Sequence, residues 1–203
     1  MRLLVIETAT AACSVALIEG GCVVAADHAV VGRGHAERLL PMIAALQDGG
    51  RCDALLVDIG PGSFTGIRVG VAAARALGFA WGVPVHGYAS LALLAAIDGG
   101  RADTVVAIEG GHGEVFVARY GGDPMVEIEA PTSMPFDVAI AQISAARIIG
   151  NAAMRLVAAG VHAEAVDVTP DARAAVLVPE GLARLAPVPF YGRGADAKPM
   201  ATA

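Results

Sequence analysis

Two positions in this chain carry groups where chemistry would need them. Glu7 closes the apolar run 3–7 and is followed by the small turn Thr8-Ala9-Thr10-Ala11. Nucleotide-binding folds use a carboxylate at a strand end to hold magnesium and phosphate, with the N–H groups of the next turn facing the anion. This turn has neither glycine nor lysine, so Glu7 is expected to be a solvated strand end. Ser63 sits in Gly62-Ser63-Phe64-Thr65-Gly66, between a strand and a helix. A nucleophile elbow reads G-x-S-x-G, and the order here is different. No histidine or acid is tied to Ser63, so it is expected to cap the helix, with anion binding at that N-terminus left open. The histidines His28, His35, His86, His112 and His162 form no HExxH motif and no i, i+4 pair, so no metal site is expected. His35, in the first turn of its helix, is expected to be a local cap or a surface contact.

The elements that position these groups are legible from periodicity. Residues 54–59 form a short apolar run, and Gly60-Pro61-Gly62 stops it. A helix is predicted over 64–81, ended by Gly82 and Pro84, with the next strand at 83–86. Gly66, Gly70, Ala74 and Gly78 recur every fourth residue and leave one face of this helix nearly bare. Glycine in a helix interior costs about 1 kcal/mol against alanine, so the stripe implies close approach by a sheet or another helix, in this chain or a second one. Ahead of this unit come strands at 3–7, 13–18 and 22–28, with a hairpin at Gly20-Gly21. A helix opens near His35, where Pro41 is expected to kink or restart it. Residues 89–97 are read as a further helix with Ser90 as a plausible cap.

Asp98-Gly99-Gly100-Arg101 is the expected boundary between a first lobe, 1–98, and a second, 99–203. After it the order begins again, with strands at 104–108, 114–120 and 125–129, a helix at 136–144, a strand at 147–149 and a helix at 151–159. Ile6-Glu7 and Ile108-Glu109 stand at matching places in the two passes. Beyond Gly160 only a short strand near Ala165, a helix around 171–176 and a Pro-rich tail from Pro187 are expected. The fold class is therefore α/β, with mixed sheets flanked by helices in two ribonuclease-H-like lobes.

Composition narrows the function. Of the 203 residues 56% are hydrophobic and 17% charged, enough for a substantial core and too apolar for disorder. The uncharged stretch 76–97 is broken by Gly82, Pro84, His86 and Gly87, so a membrane span is rejected. The N-terminus turns acidic too early for a signal peptide. Cys13, Cys22 and Cys52 lack a CxxC pair and suit a reducing cytosol. The formal charge is −6, and Lys198 is the only lysine. That excludes a P-loop and argues against unaided nucleic-acid binding, which needs a basic surface.

The segments I-E-T-A-T-A-A-C-S-V-A-L, G-R-G-H-A-E-R-L-L-P-M-I, G-P-G-S-F-T-G-I-R-V-G and G-V-P-V-H-G-Y-A-S-L together resemble the TsaB (YeaZ) family. In the second half the resemblance thins to G-E-V-F-V-A-R-Y, G-N-A-A and P-F-Y-G-R-G-A-D-A-K. It implies the two-lobed fold of actin-like sugar kinases and chaperone ATPases. It also implies a role in making N6-threonylcarbamoyladenosine at position 37 of tRNA, as a non-catalytic partner of the catalytic subunit TsaD, with the ATPase TsaE joining them and no cofactor of its own. Two departures stand out. The family usually has Asp where this chain has Glu7, and D-A-R where this chain has Glu109-Gly110-Gly111-His112. In TsaD-type relatives a His-x3-His metal pair follows Pro84-Val85-His86, and those positions here hold Gly87 and Leu91. A stand-alone kinase of the same fold is the alternative, against which the missing glycine turn and lysine argue.

Arg68 and Arg75 lie seven residues apart and share a helix face. TsaB relatives pack two N-lobe helices on TsaD, or on a second copy of themselves. The expected interface is therefore His35, Arg38, Leu39, Met42 and Leu46 on the first helix with Arg68, Val71 and Arg75 on the second. Whether the free chain is a homodimer stays open.

Overall fold

The computed structural model describes residues 1–101 and 104–192. Its first sheet runs β3-β2-β1-β4-β5, built from β1 (Arg2–Glu7), β2 (Ala12–Glu19), β3 (Cys22–Val30), β4 (Ala54–Asp58) and β5 (Val85–Tyr88). β1 pairs antiparallel with β2 and parallel with β4, with Leu3 opposite Ala54. Parallel central strands are covered on both faces. Accordingly Leu4, Ile6, Leu55 and Val57 face one apolar cluster, and Val5 and Leu56 face another. Helices α1 (His35–Ala45) and α2 (Phe64–Trp81) cover the outer face, and α3 (Ser90–Ile97) lies in the apolar cluster on the inner side. A 3₁₀ turn at Gln47–Gly50 links α1 to β4.

The bare stripe of α2 is explained within the chain. A β-carbon on Gly66 would strike the Thr8 carbonyl oxygen, one on Gly70 the Thr8 hydroxyl, and one on Gly78 the Val85 side chain. The glycines let α2 lie directly on the ends of β1, β4 and β5. Ser63 caps α2 by accepting the Gly66 N–H at 3.2 Å, and Gly82 ends it in the left-handed region at φ 68°. α1 continues through Pro41, whose ring faces outward and replaces an N–H that Glu37 O would have accepted. β5 begins two residues later than the sequence implied, because Val83 N–H still bonds to Gly78 O in the helix C-cap. Ser90 does not cap α3, since the residue at that position is Ala89 and the Ser90 hydroxyl turns to Asp58.

The second sheet repeats the pattern. Its order is β10-β9-β6-β7-β8, from β6 (Thr104–Gly111), β7 (Glu114–Gly121), β8 (Val126–Pro135), β9 (Arg147–Ile149) and β10 (Glu164–Val166). In order of appearance this is the same 3-2-1-4-5 arrangement, with α4 (Phe136–Gln142) and α5 (Ala153–Ala158) on its outer face. The counterpart of α3 is a 3₁₀ turn, Ala172–Leu177. The two inner elements are exchanged: α3 packs on β6 and β7, and the turn packs on β1, β2 and β3. One apolar cluster runs from Val5, Ala16 and Leu56 through α3 to Val106, Ile108 and Phe116. At the link between sheets, Asp98 accepts from Thr104 Oγ1 at 2.6 Å and from Arg147 Nε at 2.7 Å.

The chain after β10 returns to the first sheet. Leu185 bridges Gly87, and Phe190 N–H donates to Ile59 O at 2.7 Å. Gly192 O then accepts the Ser133 N–H of β8 at 3.2 Å. Residues 185–192 thus strap one lobe to the other. The end of the sequence motif 189–198 lies outside the described residues.

Candidate functional site

The ends of β1 and β4 meet on the inner face, and the expectation that Glu7 is solvated is wrong. Glu7 and Asp58 are both 0% exposed. They follow the inward residues Val5 and Leu56 by two, the period of a strand, and so point between the lobes. Asp58 Oδ2 accepts the Thr8 N–H at 2.8 Å and the Thr8 hydroxyl at 2.9 Å, while Oδ1 accepts the Gly60 N–H and the Ser90 hydroxyl. Glu7 Oε1 accepts the Ala9 N–H at 2.8 Å. The 3₁₀ turn closes over them, with Ala172 N–H donating to Ser14 Oγ at 2.7 Å.

Both carboxylates are pushed toward the protonated form. Burial, and secondarily the neighbouring Asp58, push the Glu7 carboxyl well above the ordinary range. Burial raises Asp58 too, to about 6, against the pull of its hydrogen-bond donors. The geometry around Glu7 fits a bound proton. Tyr88 Oη lies 2.8 Å from Glu7 Oε2 and 3.2 Å from Ile6 O. A phenol has one proton and cannot donate both ways. A protonated Glu7 satisfies every group: the acid donates to Oη, and the phenol donates to the carbonyl. Three backbone donors at the β1–β2 turn are consumed as well, Thr8 by Asp58, Ala9 by Glu7 and Ala12 by Thr10 Oγ1. An anion-binding turn needs those N–H groups free and aimed outward. Here those of Thr8 and Ala9 hold the chain's own acids.

The repeat sharpens this reading and corrects the match of Glu7 with Glu109. The parallel ladders start at Leu3–Ala54 and at Thr104–Arg147, so Thr8 corresponds to Glu109 and Asp58 to Asn151. Hydrogen bonds agree: Asn151 Oδ1 accepts the Glu109 N–H at 2.9 Å, as Asp58 accepts that of Thr8. The counterpart of Glu7 is therefore Ile108, inside the apolar cluster. Glu109 faces the other way and pairs with Arg155 at 3.0 Å. Among the described residues, no group of three or more His, Cys, Asp or Glu side chains converges as a metal's ligands would.

On the outer face, five residues expected at an interface are core. His35, Leu39, Met42, Leu46 and Val71 are 1–7% exposed and pack between α1, α2 and the sheet. Their helical spacing marks the side that faces the strands. The His35 ring nitrogen Nε2 lies 2.9 Å from Thr10 O and 3.2 Å from Ala12 O, so it carries the proton and ties α1 to the β1–β2 turn. Arg38, Arg68 and Arg75 are exposed. Beside them stand Leu40, Phe64 and Phe79, which are 52%, 53% and 92% exposed, with Ala72 and Ala76 between. Phe64, Arg68, Ala72, Arg75 and Phe79 share a face opposite the glycine stripe. That opposition was the signal that could have found them, once the stripe was given to the sheet.

The N-terminal end of this face is built by two distant segments. The Arg68 guanidinium lies 3.5 Å from the centre of the Phe64 ring, and its Nε donates to Tyr191 Oη at 2.8 Å. The Phe64 and Tyr191 rings are 5.0 Å apart. At the other end, Arg51 lies over Trp81. An exposed apolar and aromatic surface of this kind, rimmed by arginine, has the composition of a protein-docking site.

Comparison with known proteins places this geometry in a family. The family model described as "TsaD: tRNA N6-adenosine threonylcarbamoyltransferase" matches residues 27–169. An uncharacterised protein of Mycobacterium leprae is 45% identical over 97 residues, 43% of this chain and 27% of that protein. The tRNA threonylcarbamoyladenosine biosynthesis protein TsaB of Escherichia coli is 40% identical over 103 residues, 47% of this chain and 43% of that protein. The chain thus spans less than half the length of these curated relatives. The solved structure of YeaZ from Pseudomonas aeruginosa superposes with a TM-score of 0.76 at 28% identity, over 94% of this chain and 99% of that one. With the duplicated sheets and the GPGSFTG turn beneath α2, these matches place the chain in the threonylcarbamoyltransferase-related family that the TsaD model describes, and within it in the TsaB family.

Proposed function

We propose that this chain is a non-catalytic subunit in the formation of N6-threonylcarbamoyladenosine at position 37 of tRNA. It docks on a TsaD-type catalytic subunit through the outward faces of α1 and α2, and a TsaE-type ATPase joins the pair. The observation that carries the reading is the contrast between the two faces of the first sheet. On the inner face the donors that would grip a nucleotide are bonded to Glu7 and Asp58, and both acids are buried. On the outer face Leu40, Phe64 and Phe79 stand uncovered among arginines. The Escherichia coli relative, a tRNA threonylcarbamoyladenosine biosynthesis protein, suggests the reaction. The three arginines Arg38, Arg68 and Arg75 are few for gripping tRNA on a chain of net charge −6, so tRNA is met through the partner.

The test is reconstitution of tRNA modification from the TsaD-type and TsaE-type subunits of the same genome and a threonylcarbamoyl-adenylate source, with and without this chain. Modification that requires the chain, with none from the chain alone, supports the proposal. Modification unaffected by its omission would remove it, and magnesium-dependent ATP turnover by the isolated chain would favour a stand-alone kinase instead.

A further inference from the structure

The arginines of this chain divide by location. Arg2, Arg119, Arg147, Arg155, Arg173 and Arg184 each pair with an Asp or Glu of the chain. Among the described residues Arg33, Arg38, Arg51, Arg68 and Arg75 have no such partner, and neither does Arg101 at the link. The first five all precede, flank or lie on α1 and α2. α2 contains no acid over 18 residues, and α1 contains only Glu37. A chain of net charge −6 therefore places five of the six arginines left unpaired among the described residues on or beside this exposed aromatic face.

The geometry points to a clamp at the N-terminal end of that face, formed by Phe64, Arg68 and Tyr191, that receives a carboxylate of an acidic partner protein rather than of a second copy of this chain. This rests on the docking role proposed above and names its chemistry. Arg68 is held on both sides, by the Phe64 ring at 3.5 Å and by Tyr191 Oη on Nε at 2.8 Å. Its two terminal nitrogens make no hydrogen bond among the described residues, so the planar edge that pairs with carboxylates is preset and unused. Self-association through the same face would set these arginines against their own copies across a two-fold axis, with no acid on α2 to answer them. Leu40, Phe79, Ala72 and Ala76 fill the rest of the surface, which suits a protein and not a phosphate backbone. Tyr191 belongs to the strap 185–192, which bonds Ile59 of one lobe and Ser133 of the other. The strap is thus part of the docking surface, and its seat across both lobes sets the orientation of Arg68.

The test measures the affinity of the full chain for the TsaD-type subunit of the same genome at low and high salt, alongside sedimentation of the chain alone. Wild type is expected to bind, and to bind less tightly as salt rises. Arg68→Ala is expected to weaken binding about tenfold or more, as a central arginine anchor does. Arg68→Lys keeps the charge and loses the fork, so it is expected to fall between. Tyr191→Phe keeps the ring and frees Nε, and a loss of about threefold is expected, in the range of one hydrogen bond. Arg119→Ala, which breaks an internal pair, is expected to bind as wild type. Unchanged melting temperatures establish that each variant is folded. Wild-type binding with Arg68→Ala and Tyr191→Phe unaffected would overturn the clamp alone. A free chain that dimerises through this face as tightly as it binds the partner would overturn the preference for an acidic partner. Retention of tRNA by the free chain, lost in Arg68→Ala, would reassign the arginines to RNA. No binding by wild type would overturn the docking role and the clamp together.

Discussion

The two lobes share a strand order, and their outer helical faces have been put to different uses. Under α4 and α5, Arg155 pairs with Glu109 at 3.0 Å and lies over Phe136 at 3.9 Å, so its charge and its stacking are both answered inside the chain. Over α1 and α2, Arg68 has the same aromatic support and no acid. The inner strand ends differ in a complementary way. In the second lobe the position equivalent to Glu7 is Ile108, an ordinary core residue. In the first lobe it is an acid, and burial beside Asp58 pushes it toward the protonated form. The same strand order thus carries two different outer faces, one with its charges paired within the chain and one with exposed aromatic and arginine side chains.

Substitution of one acid in each lobe tests that difference. Glu7→Ala leaves the Ala9 N–H without a partner and takes one of two partners from Tyr88 Oη in a fully buried site, and a loss of about 3 kcal/mol is expected in denaturant unfolding. Glu109→Gln in the other lobe breaks only a half-exposed pair with Arg155, and at most about 1 kcal/mol is expected. Equal losses at the two sites would refute the distinction between a buried acid and a surface one.

The pH dependence of stability sharpens it further. Asp58 and Glu7 both have folded pKa values above their ordinary ones, so the folded chain binds more protons than the unfolded chain between those limits. Their stabilising contribution is complete in acid. It is lost as pH rises through about 6 for Asp58, and at higher pH for Glu7. Glu7→Gln copies the protonated acid, accepting from Ala9 and donating to Tyr88 Oη. Its stability relative to wild type is expected to climb by up to about 1.4 kcal/mol per pH unit above pH 5, until Glu7 ionises in the folded state. A difference independent of pH, measured from 5 to 9, would mean that Glu7 is not held neutral.

At the outer face the smallest effect on stability is expected. Phe79 is 92% exposed, and Phe79→Glu should change unfolding free energy by no more than about 0.5 kcal/mol. A larger change would place Phe79 in the fold and not in a contact. Val71→Glu gives no such separation, because Val71 is 4% exposed and the new charge would fall in the chain's own core.

The frame was legible because its signals are local. The Gly20-Gly21 hairpin, the Ser63 cap and the Gly82 stop each depend on neighbouring residues, and each stands where the sequence placed it. What escaped depends on distant segments. Glu7 is enclosed by residues 172–190, which carry no periodic pattern and lie at least 165 positions away. Tyr191 reaches Arg68 across 123 positions. The leucines of α1 mark a buried side equally well whether the cover is a sheet or a partner, so Leu39 and Met42 were assigned outward. The glycine stripe had the same ambiguity, and the contacts of Gly66 and Gly70 with Thr8 resolve it toward the sheet.

The measurement that most directly separates a docking face from a working cleft compares two variants in the reconstituted tRNA-modification assay. Phe79→Glu disturbs the outer face and leaves the fold intact, while Glu7→Gln alters the inner acid and preserves its hydrogen bonds. The expected result is loss of partner binding and of supported modification in Phe79→Glu, with Glu7→Gln as active as wild type. Full activity in Phe79→Glu together with loss in Glu7→Gln would place the function between the lobes and contradict the docking role.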